Sequence, residues 1–161
     1  MVDIFLAEPK SVKRNRMENT MTRISLGIAI LAAGLISGGA KAEMIDFHAA
    51  LSGGAEVPAN QTKGSGMATA TLDSVTKMLT YSVTFKDLTG PATAAHFHGP
   101  ASVSANAPPV VPITGMISPS KGTATLTDAQ IADLEAGKWY VNVHTAANPG
   151  GEIRGMVSKG K

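Results

Sequence analysis

Two histidines separated by one residue, His96 and His98, are the side chains of this 161-residue chain that are best placed for chemistry. On a β-strand, residues two apart point to the same face, about 6.5–7 Å from each other along the strand. Both imidazoles can therefore converge on one ion while Phe97 faces the core. Imidazole is the commonest metal-binding side chain and suits copper, zinc, iron and nickel. The spacing indicates a chelating pair; the alternative is that the solvent face of a sheet simply carries polar histidines.

The two remaining histidines also lie on the polar faces of predicted strands. His144 ends the run 140–144, in which valines alternate with polar residues, and His48 lies on the polar side of the run 45–51. We therefore predict a metal site whose ligands are His96, His98 and His144, with His48 as the fourth. Neutral nitrogen ligands and the order of divalent-metal affinities favour copper over zinc. The prediction requires the strands that carry these histidines to be neighbours.

A charged pair near the C-terminus suggests how such a metal could act. Glu152 and Arg154 share one face of the last predicted strand, opposite Ile153. An arginine beside a metal would attract a small anion such as superoxide, so we expect Arg154 to have a catalytic role. The alternative is a solvated Glu152/Arg154 pair on an outer strand. The sequence contains no G-x-S-x-G elbow, P-loop or H-E-x-x-H pattern, which disfavours the corresponding hydrolases and nucleotide-binding enzymes.

The elements that must position these residues are mostly short strands. Runs with period-two or β-branched character are separated by turn signals, which is typical of an all-β sandwich or barrel. The predicted strands cover residues 45–51, 67–72, 78–85, 93–98, 110–116, 122–126, 139–145 and 152–157. One short helix is predicted from the capping box at Thr127 to Gly137. The proline-rich stretch 99–112 is predicted to be a long surface connection.

The N-terminus resembles a secretory leader. Basic residues precede an uncharged apolar run at 24–36, and small residues at Ala40 and Ala42 form an A-x-A cleavage site. We expect a leader at 1–42, cleaved after Ala42, and one domain at 43–161, with translation starting at Met1, Met17 or Met21. The apolar run is shorter than the roughly 20 residues that span a bilayer. We therefore expect a periplasmic or secreted protein with no membrane span after cleavage.

Charge and cysteine content narrow the partners of the 43–161 domain. Six of the 14 basic residues and three of the 12 acidic residues lie in the leader, which leaves eight basic and nine acidic residues. A nearly neutral domain without a basic run does not support nucleic-acid binding. The chain has no cysteine, which excludes thiolate ligands and disulfide bonds.

Four segments resemble, in order and spacing, the signature segments of the chordin (CHRD) domain family. They are 51–58 (LSGGAEVP), 95–100 (AHFHGP), 140–145 (YVNVHT) and 149–155 (PGGEIRG). The resemblance covers nearly all of the domain from Phe47 to about Val157. It implies a compact, immunoglobulin-like antiparallel β-sandwich, found in bacterial exported proteins and in the extracellular animal protein chordin.

A second, weaker resemblance is to the copper–zinc superoxide dismutases, which use a His-x-His strand, a later strand histidine and a late arginine on a Greek-key β-sandwich. The matching positions are His96, His98, His144 and Arg154. Disulfide-forming cysteines, a bridging histidine and a zinc-binding loop have no counterparts, so the resemblance implies at most a mononuclear copper site. We expect an exported copper-binding protein, with superoxide dismutation as the candidate activity. The alternative is a non-catalytic interaction module without a metal.

Overall fold

A computed structural model describes residues 41–160 of the chain. The predicted signal peptide lies almost entirely outside the described residues. The described part contains nine strands and one α-helix: β1 (Met44–Ser52), β2 (Ser65–Asp73), β3 (Met78–Lys86), β4 (Ala92–His98), β5 (Pro109–Pro112), β6 (Ser120–Thr125), α1 (Asp128–Glu135), β7 (Tyr140–Thr145), β8 (Ile153–Met156) and β9 (Ser158–Lys159). Among residues 41–160, no helix is long and apolar enough to cross a membrane.

The strands form one antiparallel sheet in the order β5-β4-β7-β8-β1-β2-β3-β6, with β9 paired to β1. The chain leaves β3, near one end of this order, and continues in β4, near the other end. After β5 it returns to β6, which pairs with β3, and the segment that contains α1 then carries it across again to β7, which pairs with β4. These crossovers place the two histidine-bearing strands β4 and β7 side by side. The predicted all-β antiparallel fold is confirmed.

The sheet curls around a single apolar core, so that its two ends meet. The Tyr81 ring of β3 packs edge-on against Phe97 of β4, with 5.4 Å between the ring centroids. The Tyr81 hydroxyl donates a hydrogen bond to the carbonyl of Pro112 in β5, at 3.4 Å. Alternate residues of the long strands fill the core, as the period-two pattern predicts. In β1 these buried residues are Ile45, Phe47, Ala49 and Leu51.

The predicted elements differ from the observed ones mainly around the prolines. The strand predicted at 110–116 is shorter in the structure, because Pro109 and Pro112, which bound β5, have no N–H group for a ladder hydrogen bond. The predicted connection is correspondingly confined to residues 99–108. The helix begins as predicted, with the Thr127 side chain accepting from the backbone N–H of Gln130. Gly137, with a φ of +68°, follows its C-cap.

Candidate metal centre

The pairing of β4 with β7 decides which side chains face one another. His96 is paired with Asn142, His98 with Tyr140, and His144 with Ala94. Directly paired residues of antiparallel strands project from the same face of the sheet. The three histidines of β4 and β7 therefore share one face, and the adjacency of their strands that the metal prediction required is present.

The nitrogens of these three histidines converge. His96 Nδ1 and His144 Nε2 are 3.4 Å apart, which is about the separation of two ligands at tetrahedral positions 2.0–2.1 Å from a metal. One ring nitrogen from each of His96, His98 and His144 lies within 4.8 Å of the other two. We call these three residues the histidine cluster. Its geometry can bind one transition-metal ion.

Backbone carbonyls orient two of the three imidazoles. His98 Nδ1 lies 2.9 Å from the carbonyl oxygen of Ala107, and His144 Nδ1 lies 2.9 Å from that of Pro149. A carbonyl only accepts, so each Nδ1 carries the proton and each Nε2 presents a lone pair. The lone pair of His144 Nε2 accepts from His96 Nδ1, at 3.4 Å. His98 Nε2 is buried and has no hydrogen-bond partner. An Nδ1–H held by a carbonyl is the usual outer contact of a metal-binding histidine.

The surroundings of His96 and His98 favour neutral imidazoles. Burial lowers the pKa of His96, and the charge of the neighbouring His144 lowers it further. Burial also lowers the pKa of His98, although its bond to Ala107 acts in the opposite direction. A neutral imidazole is the form that binds a metal. The lowered pKa values of His96 and His98 therefore favour the form of these two side chains that binds an ion.

His48 stands apart from the cluster. It lies on β1, paired with Thr69 of β2 and Ser158 of β9, and its side chain is exposed. The strand β8 separates β1 from β7 in the sheet. His48 is not in the group of converging nitrogens, so the structure does not bring the predicted fourth ligand to the other three. Its place on a polar strand face was the only signal for that assignment, and it is shared by many solvent-facing residues.

Arg154 is on the same face as the histidines but is only 1% exposed. Its guanidinium donates to Asn106 Oδ1 at 2.9 Å and to the carbonyl of Ala105 at 2.8 Å. The segment 102–107, which contains both acceptors, covers it. A guanidinium enclosed in this way does not support the predicted role of attracting superoxide from solvent, and it is not part of a solvated ion pair.

Glu152 is also buried, at 0% exposure, and its contacts are separate from those of Arg154. Its carboxylate accepts hydrogen bonds from the hydroxyls of Thr62, Thr89 and Thr145 at 2.6–2.7 Å. Although burial acts to raise the pKa of Glu152, these bonds lower it to about 2. Glu152 therefore joins three distant segments of the chain. Because Thr62 and Thr89 are far from Glu152 in the sequence, no local pattern could have indicated this role.

A second buried acid, Glu56, lies beside the cluster and was not predicted as a site residue. The loop after β1 carries it to Asn142, whose Nδ2 donates to Glu56 Oε1 at 2.9 Å. Burial raises the pKa of Glu56 to about 7, although the charge of Arg154 and the Asn142 bond act to lower it. A cleft of about 280 Å³ between residues 56–60 and 147–151 borders Glu56. In the sequence, Glu56 is the only acid in its loop, and a turn residue explains it equally well.

Comparison with known proteins agrees with this architecture. The family model of the CHRD domain matches residues 47–157, which is most of the chain. No curated protein and no solved structure matches the chain. CHRD domains occur in extracellular and secreted proteins. The matched span begins in β1 and ends just after β8, so it includes the histidine cluster and all the loops that cover it. The chain therefore belongs to the CHRD domain family.

Proposed function

We propose that this protein is an exported CHRD-domain protein that binds one copper ion through His96, His98 and His144. The observation that carries the proposal is the convergence of three imidazole nitrogens within 4.8 Å of one another. Two of the rings, those of His98 and His144, are fixed by carbonyls at Nδ1, so that Nε2 carries the lone pair in both. This combination is less expected of histidines that merely occupy a polar sheet face.

Copper is the metal that the ligand set favours. All three ligands are neutral nitrogens, and the chain has no cysteine to supply the thiolates of a structural zinc site. The affinity of such sites for divalent metals is greatest for copper. Zinc is the second candidate. A transition metal bound here would supply redox or Lewis-acid chemistry, while the chain's own residues would orient the three imidazoles.

Titration calorimetry of the purified protein with Cu²⁺ tests this proposal. We expect one tight site per chain, lost in the His96→Ala/His98→Ala double variant. The matched control is His48→Ala, because His48 is an exposed strand histidine outside the cluster. Equal copper affinity in the double variant and the wild type would overturn the proposal and would leave the interaction module without a metal as the better description.

The more specific proposal is that the bound copper ion catalyses superoxide dismutation. His96 and His144 are partly exposed, so a small molecule can approach the cluster. The enclosed guanidinium of Arg154 would not guide it there. The test is superoxide turnover by copper-loaded protein in the presence of a chelator that removes free copper. Turnover that persists in the His96→Ala/His98→Ala variant would show that the cluster is not its source.

The proposed export rests on the leader-like sequence at 1–42 and on the occurrence of CHRD domains in secreted proteins. N-terminal sequencing of the protein from the periplasm or the culture medium tests it. We expect the first residue to be Glu43. An intact leader on the exported protein would contradict cleavage after Ala42.

A further inference from the structure

Two buried side-chain atoms within residues 41–160 lack a hydrogen-bond partner: one belongs to the histidine cluster, and the other belongs to a residue paired with His96 of the cluster. They are His98 Nε2 and Asn142 Oδ1. An unpaired buried polar atom costs about 1–3 kcal/mol, so such atoms are rare unless a water molecule or an ion satisfies them. The proposed copper ion would satisfy His98 Nε2. It leaves the amide oxygen of Asn142 without a partner.

Asn142 lies between the metal ligands. It is paired directly with His96 across β4 and β7, and it is two residues before His144 on the same face. Its side chain is only 3% exposed. Asn142 therefore lies next to His96 and His144 on the face of the sheet that carries the histidine cluster.

The other end of the Asn142 amide is held by Glu56. Nδ2 donates to Glu56 Oε1, so the NH₂ group faces the acid and the oxygen is directed elsewhere. Gly151, with a φ of +133°, makes room for this contact. A Cβ atom there would lie 2.0 Å from Asn142 Nδ2 and 2.6 Å from Glu56 Oε1. The absence of a side chain at Gly151 therefore allows the contact between Asn142 and Glu56, and Glu56 acts as a positioning residue for the amide.

Three protein ligands leave a coordination position open, and in metal sites of this kind a water molecule fills it. Metal-bound water is a strong hydrogen-bond donor, and an amide oxygen is a good acceptor. We propose that the metal centre keeps one exchangeable position for water or another small protic oxygen ligand, and that Asn142 Oδ1 accepts a hydrogen bond from this ligand. This inference rests on the proposed function.

The arrangement also predicts a preference among ligands. An amide oxygen stabilises a ligand that carries a proton and disfavours an anion that carries none. Azide has no proton to donate, so it should compete with water less well when Asn142 is present. One hydrogen bond contributes about 1 kcal/mol, which corresponds to roughly a fivefold change in affinity.

The test combines water-proton relaxation and azide titration of the copper-loaded full-length or exported protein, with copper binding measured by calorimetry on the same samples. We expect the wild type to show relaxation enhancement that falls when azide saturates the site. We expect Asn142→Leu, which has a similar shape, to bind azide about fivefold more tightly. Asn142→Ala provides a second variant in case the first does not fold, and His48→Ala is the control.

The outcomes separate the two proposals. An enhancement that azide does not change, with copper bound normally, would overturn the exchangeable position and leave the proposed function intact. Unchanged azide affinity in both Asn142 variants would overturn the role of Asn142. If the wild type does not bind copper, the proposed function is overturned, and the inference with it.

Discussion

The guanidinium carbon of Arg154 lies 3.5 Å from the centroid of the Tyr140 ring. The same tyrosine stacks against His98, with 4.7 Å between the ring centroids and 2° between the planes. A flat ring cannot be stacked by both groups on one side, so Tyr140 lies between a cation and a candidate metal ligand. Arg154 is therefore connected to the histidine cluster through packing and not through solvent.

Replacing Arg154 should weaken copper binding although the residue does not touch the cluster. Its bonds to Asn106 and Ala105 hold the segment 102–107, and the carbonyl of Ala107 in that segment orients His98. Loss of such an outer contact typically costs 10–100-fold in metal affinity. We expect a loss of about that size in Arg154→Met by calorimetry, with Arg154→Lys in between because lysine lacks the planar fork.

One further measurement and a control variant separate this positioning role from general destabilisation. Nitrogen chemical shifts of His98 should show a fixed Nδ1–H tautomer in the wild type and a mixture in Arg154→Met. Lys121→Met, an exposed basic residue on β6, is the control and should change neither quantity. Wild-type copper affinity in a folded Arg154→Met protein would contradict the prediction.

Glu56 should make stability fall as pH rises towards neutrality. Its pKa is raised from 4.5 to about 7 in the folded state, so the unfolded state binds fewer protons between these values and stability falls with increasing pH. Between pH 4.5 and 7, the free energy of unfolding of Glu56→Gln should rise relative to that of the wild type by on the order of 2 kcal/mol. Urea unfolding of both proteins across this pH range measures the difference between their free energies of unfolding. The histidines are present in both proteins, so their titration cancels in this difference. A difference that is constant with pH would contradict the prediction.

Glu152 should have the opposite effect at lower pH. Its folded pKa of about 2 is below the unfolded value of 4.5, so its contribution is complete above pH 4.5 and is lost as pH falls through 2. Glu152→Gln places an NH₂ group among threonine hydroxyls and should cost about 1.5–3 kcal/mol at pH 7. Thermal unfolding should show this cost shrinking as the pH is lowered from 4.5. An equal cost at pH 7 and pH 2.5 would show that the charge is irrelevant.

The close approach at Gly151 gives a matched pair of variants. Gly151→Ala should destabilise the fold by about 1–3 kcal/mol, because a side chain at a φ of +133° is strained and would strike Asn142 and Glu56. Gly150→Ala should be within about 0.5 kcal/mol of wild type, since nothing lies within 4 Å of the added Cβ. Chemical denaturation compares the two directly. Similar stability in both variants would mean that the contact at Gly151 can relax.

The local pattern was sufficient for most of the elements. Period-two alternation located β1 to β4 to within two residues at each end, and the capping box located the start of α1. It was less successful at β5, where Pro109 and Pro112 limit the ladder to four residues. These features depend on neighbouring residues and on steric rules that act within a few positions of the chain, which is why they can be inferred from the sequence.

By itself, the sequence determined that His96 and His98 share a strand face, that the chain contains no cysteine, and that it resembles the CHRD family. Only the tertiary structure decided that β4 pairs with β7 and so brings His144, and not His48, to that pair. It also decided that Arg154 is enclosed beneath the segment 102–107 and that Glu56 meets Asn142. Strand order and loop placement depend on contacts between residues far apart in the chain, and local periodicity carries no information about them.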